Sequence, residues 1–424
     1  MEIKHLSHFA PPSVQIQTNF YNQLLPNLAE VDYLPFNSQD FSMFLKYGGR
    51  NFYCFKEDFD IDLRLNKNCP NEISHGRDVS SALCIKGANA AGKTNALKAL
   101  SFLLDFITNS FALKPESTIP AESFFHNKND VFLYCEFRTV QGDLRYEVTF
   151  NGSTVIRESL SNISQKAAPI LLFERAQNEI LTIHESFEEL NDVPNIRSNA
   201  SIISIANQYE IGCIEEIYTT FYIRAISNVG KMGFRDFSDA DVHEFYNVFP
   251  DAVEFSTKLL KRFDTGIHSF EIKSQINEAG TEVYYPEFKH ATESGVEILR
   301  LNQQSSGTKR LYILLAYCYL ALKNKDSYSY FIADELDLHL HSKVLEEIIT
   351  LFDMSENTQL IFTCQNDLIM DQMGKYRTVF INKTESESYS YRLDELPSDL
   401  LRNGRPITPH YHASKIGGVP NIGE

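Results

Sequence analysis

The run Gly87-Ala88-Asn89-Ala90-Ala91-Gly92-Lys93-Thr94 satisfies the pattern G-x-x-x-x-G-K-[ST]. Residues of these types at this spacing do phosphate chemistry through the turn they make. Glycines let successive backbone N–H groups curl inward to face a phosphate, and the N-terminus of a following helix adds its partial positive charge. Gly87, Asn89, Ala90, Ala91, Gly92 and Asn95 are candidate cradle residues. Lys93 would reach the β- and γ-phosphates of a nucleoside triphosphate, and the Thr94 hydroxyl would ligate Mg²⁺. An ordinary glycine-rich turn leaves the Gly-Lys-Thr ending unexplained.

A second set of candidates ends an apolar run, Ser329-Tyr330-Phe331-Ile332-Ala333-Asp334-Glu335. Closing a buried strand with paired carboxylates is costly unless a cation or a polar site receives them. In phosphoryl-transfer sites the first acid, here Asp334, helps hold Mg²⁺. The second, Glu335, can activate the attacking water, a general-base role worth roughly 10²–10⁴ in rate. A third segment, Gln304-Ser305-Ser306-Gly307-Thr308-Lys309-Arg310, is a small-residue turn before a helix, which makes Ser305 and Gly307 candidate anion contacts.

These groups need elements to hold them. Residues 81–85 form a short apolar strand before the phosphate turn, and 95–104 an apolar-periodic helix after it. From 131 to 183 the apolar period switches to two, with turn signals at Val140-Gln141-Gly142-Asp143 and Asn151-Gly152, which predicts an antiparallel meander. Residues 51–56 and 59–63 read as strands. Residues 186–265 read as mainly helical, with segments at 214–225 and 242–263, and strands return at 267–276 and 283–290. The last third alternates helix 311–322, strand 328–333, a helix around 344–352 and strands 359–363 and 378–382. That alternation predicts a largely parallel sheet covered on both faces. The division that follows is an N-terminal extension over 1–44, an N-lobe over 45–185, a helical insertion over 186–265 and a C-lobe over 266–424.

With 43% hydrophobic and 22% charged residues in 424, the chain can bury a sizeable core. A net charge of −17 argues against a surface that grips nucleic acid throughout. The seven scattered cysteines form no C-x-x-C and read as reduced thiols. With no apolar leader and no bilayer-length apolar run, a cytoplasmic protein without a membrane partner is expected. His339 and His341 lack an evident third metal ligand, so capping the next helix or lining a subunit contact is the expectation for them.

These motifs, in this order, resemble the ABC/SMC-type AAA-family ATPases of bacterial anti-phage defence loci, related to RecF and to the overcoming-lysogenisation-defect proteins. The likeness is carried by Asn51-Phe52-Tyr53-Cys54-Phe55-Lys56, Gly87-Ala88-Asn89, Tyr146-Glu147-Val148, Arg157-Glu158-Ser159-Leu160, Ser305-Ser306-Gly307-Thr308-Lys309-Arg310, Asp334-Glu335-Leu336-Asp337-Leu338-His339-Leu340-His341 and Ile416-Gly417-Gly418-Val419-Pro420-Asn421. It runs over 45–424, loosely in the middle. It implies an α/β fold, an ABC-type P-loop ATPase head with a mixed sheet, an antiparallel meander and a helical lobe. It implies that Ser305 and Gly307 form a signature turn that meets the nucleotide of a second copy. Two chains would then close two ATP molecules head to tail in a homodimer or higher homo-oligomer, with Lys309 and Arg310 near the seam and Asp337 sensing the partner.

The implied function is a switch that controls a separate effector, a nuclease or toxin, with DNA or a phage component as a further candidate partner. A RecF/SMC-like repair or chromosome-maintenance ATPase is the alternative, which salt-sensitive DNA binding would favour. A transporter subunit or a small-molecule kinase fits less well. One departure matters. Where the resemblance places a switch histidine, this chain has Gln365, which can donate a hydrogen bond but cannot carry a positive charge. ATP binding with slow hydrolysis is the expectation.

Overall fold

The computed structural model describes residues 42–164, 168–222, 225–230, 233–234, 239–263, 266–293, 295–323, 328–397 and 400–419. The expected extension over 1–44 lies outside them, except for its end, where the first strand already begins at Met43. The described residues fall into two compact units. One holds 239–323 and Leu338–Leu345, and the other holds the rest.

The larger unit carries two sheets. The first is antiparallel throughout, in the order β2-β1-β4-β5-β6-β7-β8. Its strands are β1 (Met43–Arg50), β2 (Phe59–Asp62), β4 (Val131–Thr139), β5 (Gly142–Asn151), β6 (Thr154–Asn162), β7 (Ile170–Ala176) and β8 (Glu179–Ile183). The period-two pattern works as expected: Leu144, Tyr146, Val148 and Phe150 of β5 are buried while the residues between them are not. Residues 51–56 are not a strand but a tight reversal. Asn51 (φ 55°) and Tyr53 (φ 49°) adopt left-handed backbone, and Phe52 and Phe55 exchange backbone hydrogen bonds of 2.8 and 2.9 Å. The aromatic run that read as extended instead folds back on itself and buries Phe52 and Phe55.

The second sheet has the order β18-β17-β3-β16-β15-β9. Strands β3 (Ala82–Lys86), β9 (Ala225–Ser227), β15 (Ser329–Ala333), β16 (Thr358–Thr363) and β17 (Thr378–Thr384) are parallel, and β18 (Glu387–Arg392) closes the edge antiparallel. The expected mixed α/β architecture with its meander is therefore the one found. Helix α1 (Lys93–Asn109) follows β3 and buries Ala96, Leu97, Leu100, Leu103, Leu104 and Ile107, an i, i+3, i+4 stripe, in one core with Leu83 and Ile85 of β3 and Leu133 of β4. Each leucine so buried contributes about 1.5–3 kcal/mol.

The meander is pinned by a fully buried ion pair. Arg175 Nε donates to Glu158 Oε2 at 2.7 Å, and both side chains are inaccessible to solvent. Glu158 also accepts from Tyr146 Oη (2.8 Å), Ser201 Oγ (2.7 Å) and the Ile202 N–H (3.1 Å) at the start of α2 (Ile202–Gln208). Arg175 further donates to the carbonyls of Gln177, Arg197 and Ala200.

The segment 186–265 is not one helical insertion. Helices α2 and α3 (Glu215–Tyr222), with β9 and the small ribbon β10 (Val229–Gly230) and β11 (Gly233–Phe234), belong to the larger unit. Helices α4 (Asp239–Val248) and α5 (Pro250–Arg262) belong to the smaller. The single helix expected over 242–263 breaks at Phe249, because Pro250 takes the first position of α5, where its missing N–H costs nothing.

The smaller unit packs α4, α5 and α6 (Ser306–Lys323) with the antiparallel sheet β12 (Ile267–Ile276), β13 (Glu282–Thr292) and β14 (Gly295–Arg300). Its centre is aromatic. The Tyr246 and Tyr312 rings lie 4.9 Å apart, Phe270 and Phe288 pack on Tyr312, and Tyr246 Oη donates to the Tyr312 carbonyl at 2.9 Å. Strand β14 was not expected from the sequence. Further along the chain lie α7 (Ser342–Asp353), α8 (Leu368–Met373) and α9 (Thr408–His412). Among the described residues no helix is long and apolar enough to cross a membrane.

Candidate functional site

In the parallel sheet, β16 lies between β3 and β15, with Cys84 paired to Phe362 and Phe362 to Ala333. The carboxyl ends of the three strands therefore line up. Ligands of open α/β sheets bind in the crevice outside those ends.

The phosphate turn leaves β3 at Gly87, where a Cβ would stand 2.1 Å from the Ile381 carbonyl oxygen. It passes Ala90 in left-handed backbone (φ 60°) and closes on Gly92 (φ 109°), the N-cap of α1. Asn89 and Ala90 are exposed, while the Ala91 side chain anchors the turn in the core. Lys93 Nζ donates to the carbonyls of Gly87 (2.9 Å) and Ala88 (3.0 Å). Burial, and then repulsion from Lys86, hold the Lys93 ammonium below the usual lysine range, with Asp334 and Glu335 pulling the other way.

The acidic strand end meets this turn directly. Thr94 Oγ1 donates to Asp334 Oδ2 at 2.6 Å. Thr363, the last residue of β16, donates from Oγ1 to Asp334 Oδ1 at 2.5 Å and accepts the Glu335 N–H at 2.8 Å. Asn228, which follows β9, clamps the Asp334 backbone from the other side: its Nδ2 donates to the Asp334 carbonyl (2.9 Å) and its Oδ1 accepts the Asp334 N–H (2.7 Å). Glu335 itself sits in left-handed backbone (φ 49°). Gln365 donates from Nε2 to Glu335 Oε1 at 3.3 Å. Asp337 Oδ2 accepts the backbone N–H groups of Gln365 (2.9 Å) and Asn366 (2.8 Å), tying the turn after β15 to the segment after β16.

Beneath these groups lies a buried lysine. Lys86, the last residue of β3, donates to the Gln365 carbonyl at 2.8 Å and to Asp367 Oδ1 at 3.1 Å. Burial alone would lower its pKa, but the Cys364 and Cys84 thiols and the Asp367 carboxylate outweigh that and raise it.

Lys93, Thr94, Asp334, Glu335, Asp337 and Gln365, expected from separate motifs, thus converge at one end of one sheet. Ser305 and Gly307 belong to the other compact unit. There Ser305 Oγ accepts the Thr308 N–H at 3.1 Å at the start of α6, and a Cβ on Gly307 would stand 2.9 Å from the His339 carbonyl. His341 Nδ1 accepts the Lys343 N–H at 3.2 Å at the start of α7, the first of the two roles expected of it, capping or a subunit contact. Asn228, Thr363 and Lys86 went unread in the sequence. Thr363 carried a faint signal, a hydroxyl ending an apolar strand just before Gln365; Asn228 carried none.

The family described as "AAA domain, putative AbiEii toxin, Type IV TA system" matches residues 83–371. No curated protein matches the chain. Among solved structures, the chain is similar to the Smc head bound to the C-winged helix domain of ScpA, with 14% identity, covering 84% of this chain and 99% of that one, at a TM-score of 0.46. It is similar to the SMC head domain from Thermotoga maritima, with 12% identity over 82% of this chain and 98% of that one, TM-score 0.42. It is also similar to the Smc head domain with an extended coiled coil bound to the C-terminal domain of ScpA from Pyrococcus furiosus, with 12% identity over 84% of this chain and 97% of that one, TM-score 0.43. The family match spans more than half of the chain and takes in the phosphate turn, the acidic strand and the Gln365 segment, so the chain belongs to this AAA-domain family.

Proposed function

We propose that the chain is an ATP-binding, slowly hydrolysing ATPase that works as a dimerising switch and controls a separate effector, a nuclease or toxin, in bacterial anti-phage defence. The observation that carries the nucleotide half is the hydrogen bond between Thr94 and Asp334, 2.6 Å long, which joins the end of the phosphate turn to the acidic strand. Hydroxyl and carboxylate oxygens form the hard donor set that suits Mg²⁺, so Thr94 and Asp334 would hold it. The cation, when bound, would neutralise charge on the terminal phosphates. Lys93 adds a second positive charge there. Glu335 orients the attacking water and takes up its proton. Gln365 holds Glu335 in place but brings no cation to the developing charge, which favours slow turnover.

Support for the switch half is twofold. Ser305 immediately precedes, and Gly307 lies in the first turn of, a helix of 18 residues, an anion contact that would suit the nucleotide of a second copy. The family description names a putative toxin of a type IV toxin–antitoxin system, which fits a chain that works in a system of more than one component. The test is to measure the mass of Glu335→Gln with and without ATP and Mg²⁺ and to identify what co-purifies. The expected result is an ATP-dependent doubling that Lys93→Ala abolishes. A monomer at saturating ATP overturns the switch, and salt-sensitive DNA binding by the dimer transfers it to a repair role.

A further inference from the structure

The reversal at 51–56 delivers one thiol to the phosphate turn. Cys54 Sγ stands 2.5 Å from where a Cβ on Gly92 would lie, so the sulfur packs directly on the N-cap of α1. Asn95 Nδ2 donates to the same sulfur at 3.2 Å. The Cys54 carbonyl accepts the Ser388 N–H at 2.9 Å. The Ser388 hydroxyl lies 3.1 Å from the same Gly92 position, is 4% exposed, and has no hydrogen-bond partner among the described residues. A half-buried thiol and a buried, unpartnered hydroxyl thus face the same spot beside the phosphate turn. One helical turn further along α1, Lys98 Nζ lies 4.3 Å from the centre of the Tyr53 ring, the residue next to Cys54. On the reading of Lys93 and Thr94 as contacts of the terminal phosphates, Asn95 and Lys98, the next residues of α1 outside the core, would lie toward the inner phosphate and the sugar.

Resting on the nucleotide-binding reading above, we propose that Cys54 and Ser388 wall the nucleotide site on its inner-phosphate and sugar side, and that a mixed disulfide on Cys54 closes the site to a nucleoside triphosphate. The step needs only a small disulfide as co-reactant. The Cys54 sulfur attacks one sulfur of oxidised glutathione, the old S–S bond breaks, and the second glutathione leaves as a thiol with the proton Cys54 gave up. Cys54 Sγ already touches Gly92 and Asn95, so an added tripeptide has to displace the phosphate turn or project into the nucleotide's side of it. Four of the seven cysteines are buried, and the other two half-buried ones, Cys69 and Cys213, serve as internal references because burial raises both thiols, Cys213 to about 11.

The experiment uses the full chain, radiolabelled ATP with Mg²⁺ and peptide mass mapping. Saturating ATP slows iodoacetamide labelling of Cys54 at least about tenfold and leaves Cys69 and Cys213 at their own rates. Oxidised glutathione weakens ATP binding at least about tenfold, and dithiothreitol restores it. Cys54→Ser binds ATP more weakly than the parent yet no longer responds to oxidised glutathione. Unchanged labelling of Cys54 under bound ATP, or unchanged affinity after Cys54 is modified, overturns the inference alone. Absence of ATP binding in the reduced protein, or equal binding by Lys93→Ala, overturns the nucleotide reading and this inference with it.

Discussion

Thr363 holds Asp334 and its neighbour with one oxygen: the hydroxyl donates to the Asp334 carboxylate at 2.5 Å and accepts the Glu335 N–H at 2.8 Å. Thr363→Val keeps the shape and removes the oxygen, leaving a buried carboxylate and a backbone N–H short of a partner. The expected loss is about 1–3 kcal/mol of stability and roughly a ten- to hundredfold fall in single-turnover ATP hydrolysis, with Thr363→Ser restoring both. Melting curves and phosphate release check it. Full activity in the valine variant would remove Thr363 from the site.

Lys93→Ala removes the ammonium that lies over the phosphate turn. Bound ATP at a hundred times its dissociation constant stabilises a protein by about 2.7 kcal/mol. The wild-type chain gains that much in a thermal or urea titration with ATP and Mg²⁺, and the variant gains none.

Two alanine substitutions in the turn separate binding from folding. At Gly92 the new Cβ meets the end of a side chain, Cys54 Sγ, and must also accept φ 109°; the chain folds, and nucleotide binding is lost. At Gly87 it meets the Ile381 carbonyl, a backbone atom that cannot give way. Overpacking of this kind costs about 1–3 kcal/mol or more, so Gly87→Ala lowers the melting temperature further than Gly92→Ala.

Arg175→Met strands the Glu158 carboxylate in the core and is expected to destabilise by about 3–5 kcal/mol. Glu158→Leu combined with Arg175→Met costs less than the sum of the single changes, because the pair acts as a unit. Urea unfolding of the set measures it, and additivity would break the account.

Burial holds His243 of α4 below its usual 6.5, against the pull of Asp239 and of a backbone hydrogen bond with Tyr284. Its Nε2 is buried without a partner among the described residues. The unfolded chain therefore binds the proton more readily than the folded one, and stability drops as pH falls through about 6.5. Stability is expected to keep falling as the pH drops below that point, and His243→Gln flattens that part of the profile in urea unfolding run across pH.

The phosphate turn and the acidic strand were legible because their chemistry is written contiguously: the Gly-Lys-Thr ending and the paired acids each need only their own neighbours. Asn228 and Thr363 act on Asp334 from distant points of the chain, and nothing local in an asparagine or a threonine says what it will face after folding. The reversal at 51–56 was misread because Phe52, Tyr53 and Phe55 are strand-forming types, whereas two left-handed residues, neither of them glycine, decide the shape. Pro250 offered a stop signal within 242–263 that the apolar periodicity masked. Strand β14 is mostly exposed, so it lacked the buried alternation that betrays a strand.

Lys86 reaches from the root of the phosphate turn to the Gln365 carbonyl and the Asp367 carboxylate. A single buried ammonium therefore joins the last residue of β3, where the phosphate turn begins, to the segment that follows β16. Losing that ammonium would leave the Gln365 carbonyl and the Asp367 carboxylate without this shared donor, so the segment after β16 draws part of its footing from the strand that feeds the phosphate turn.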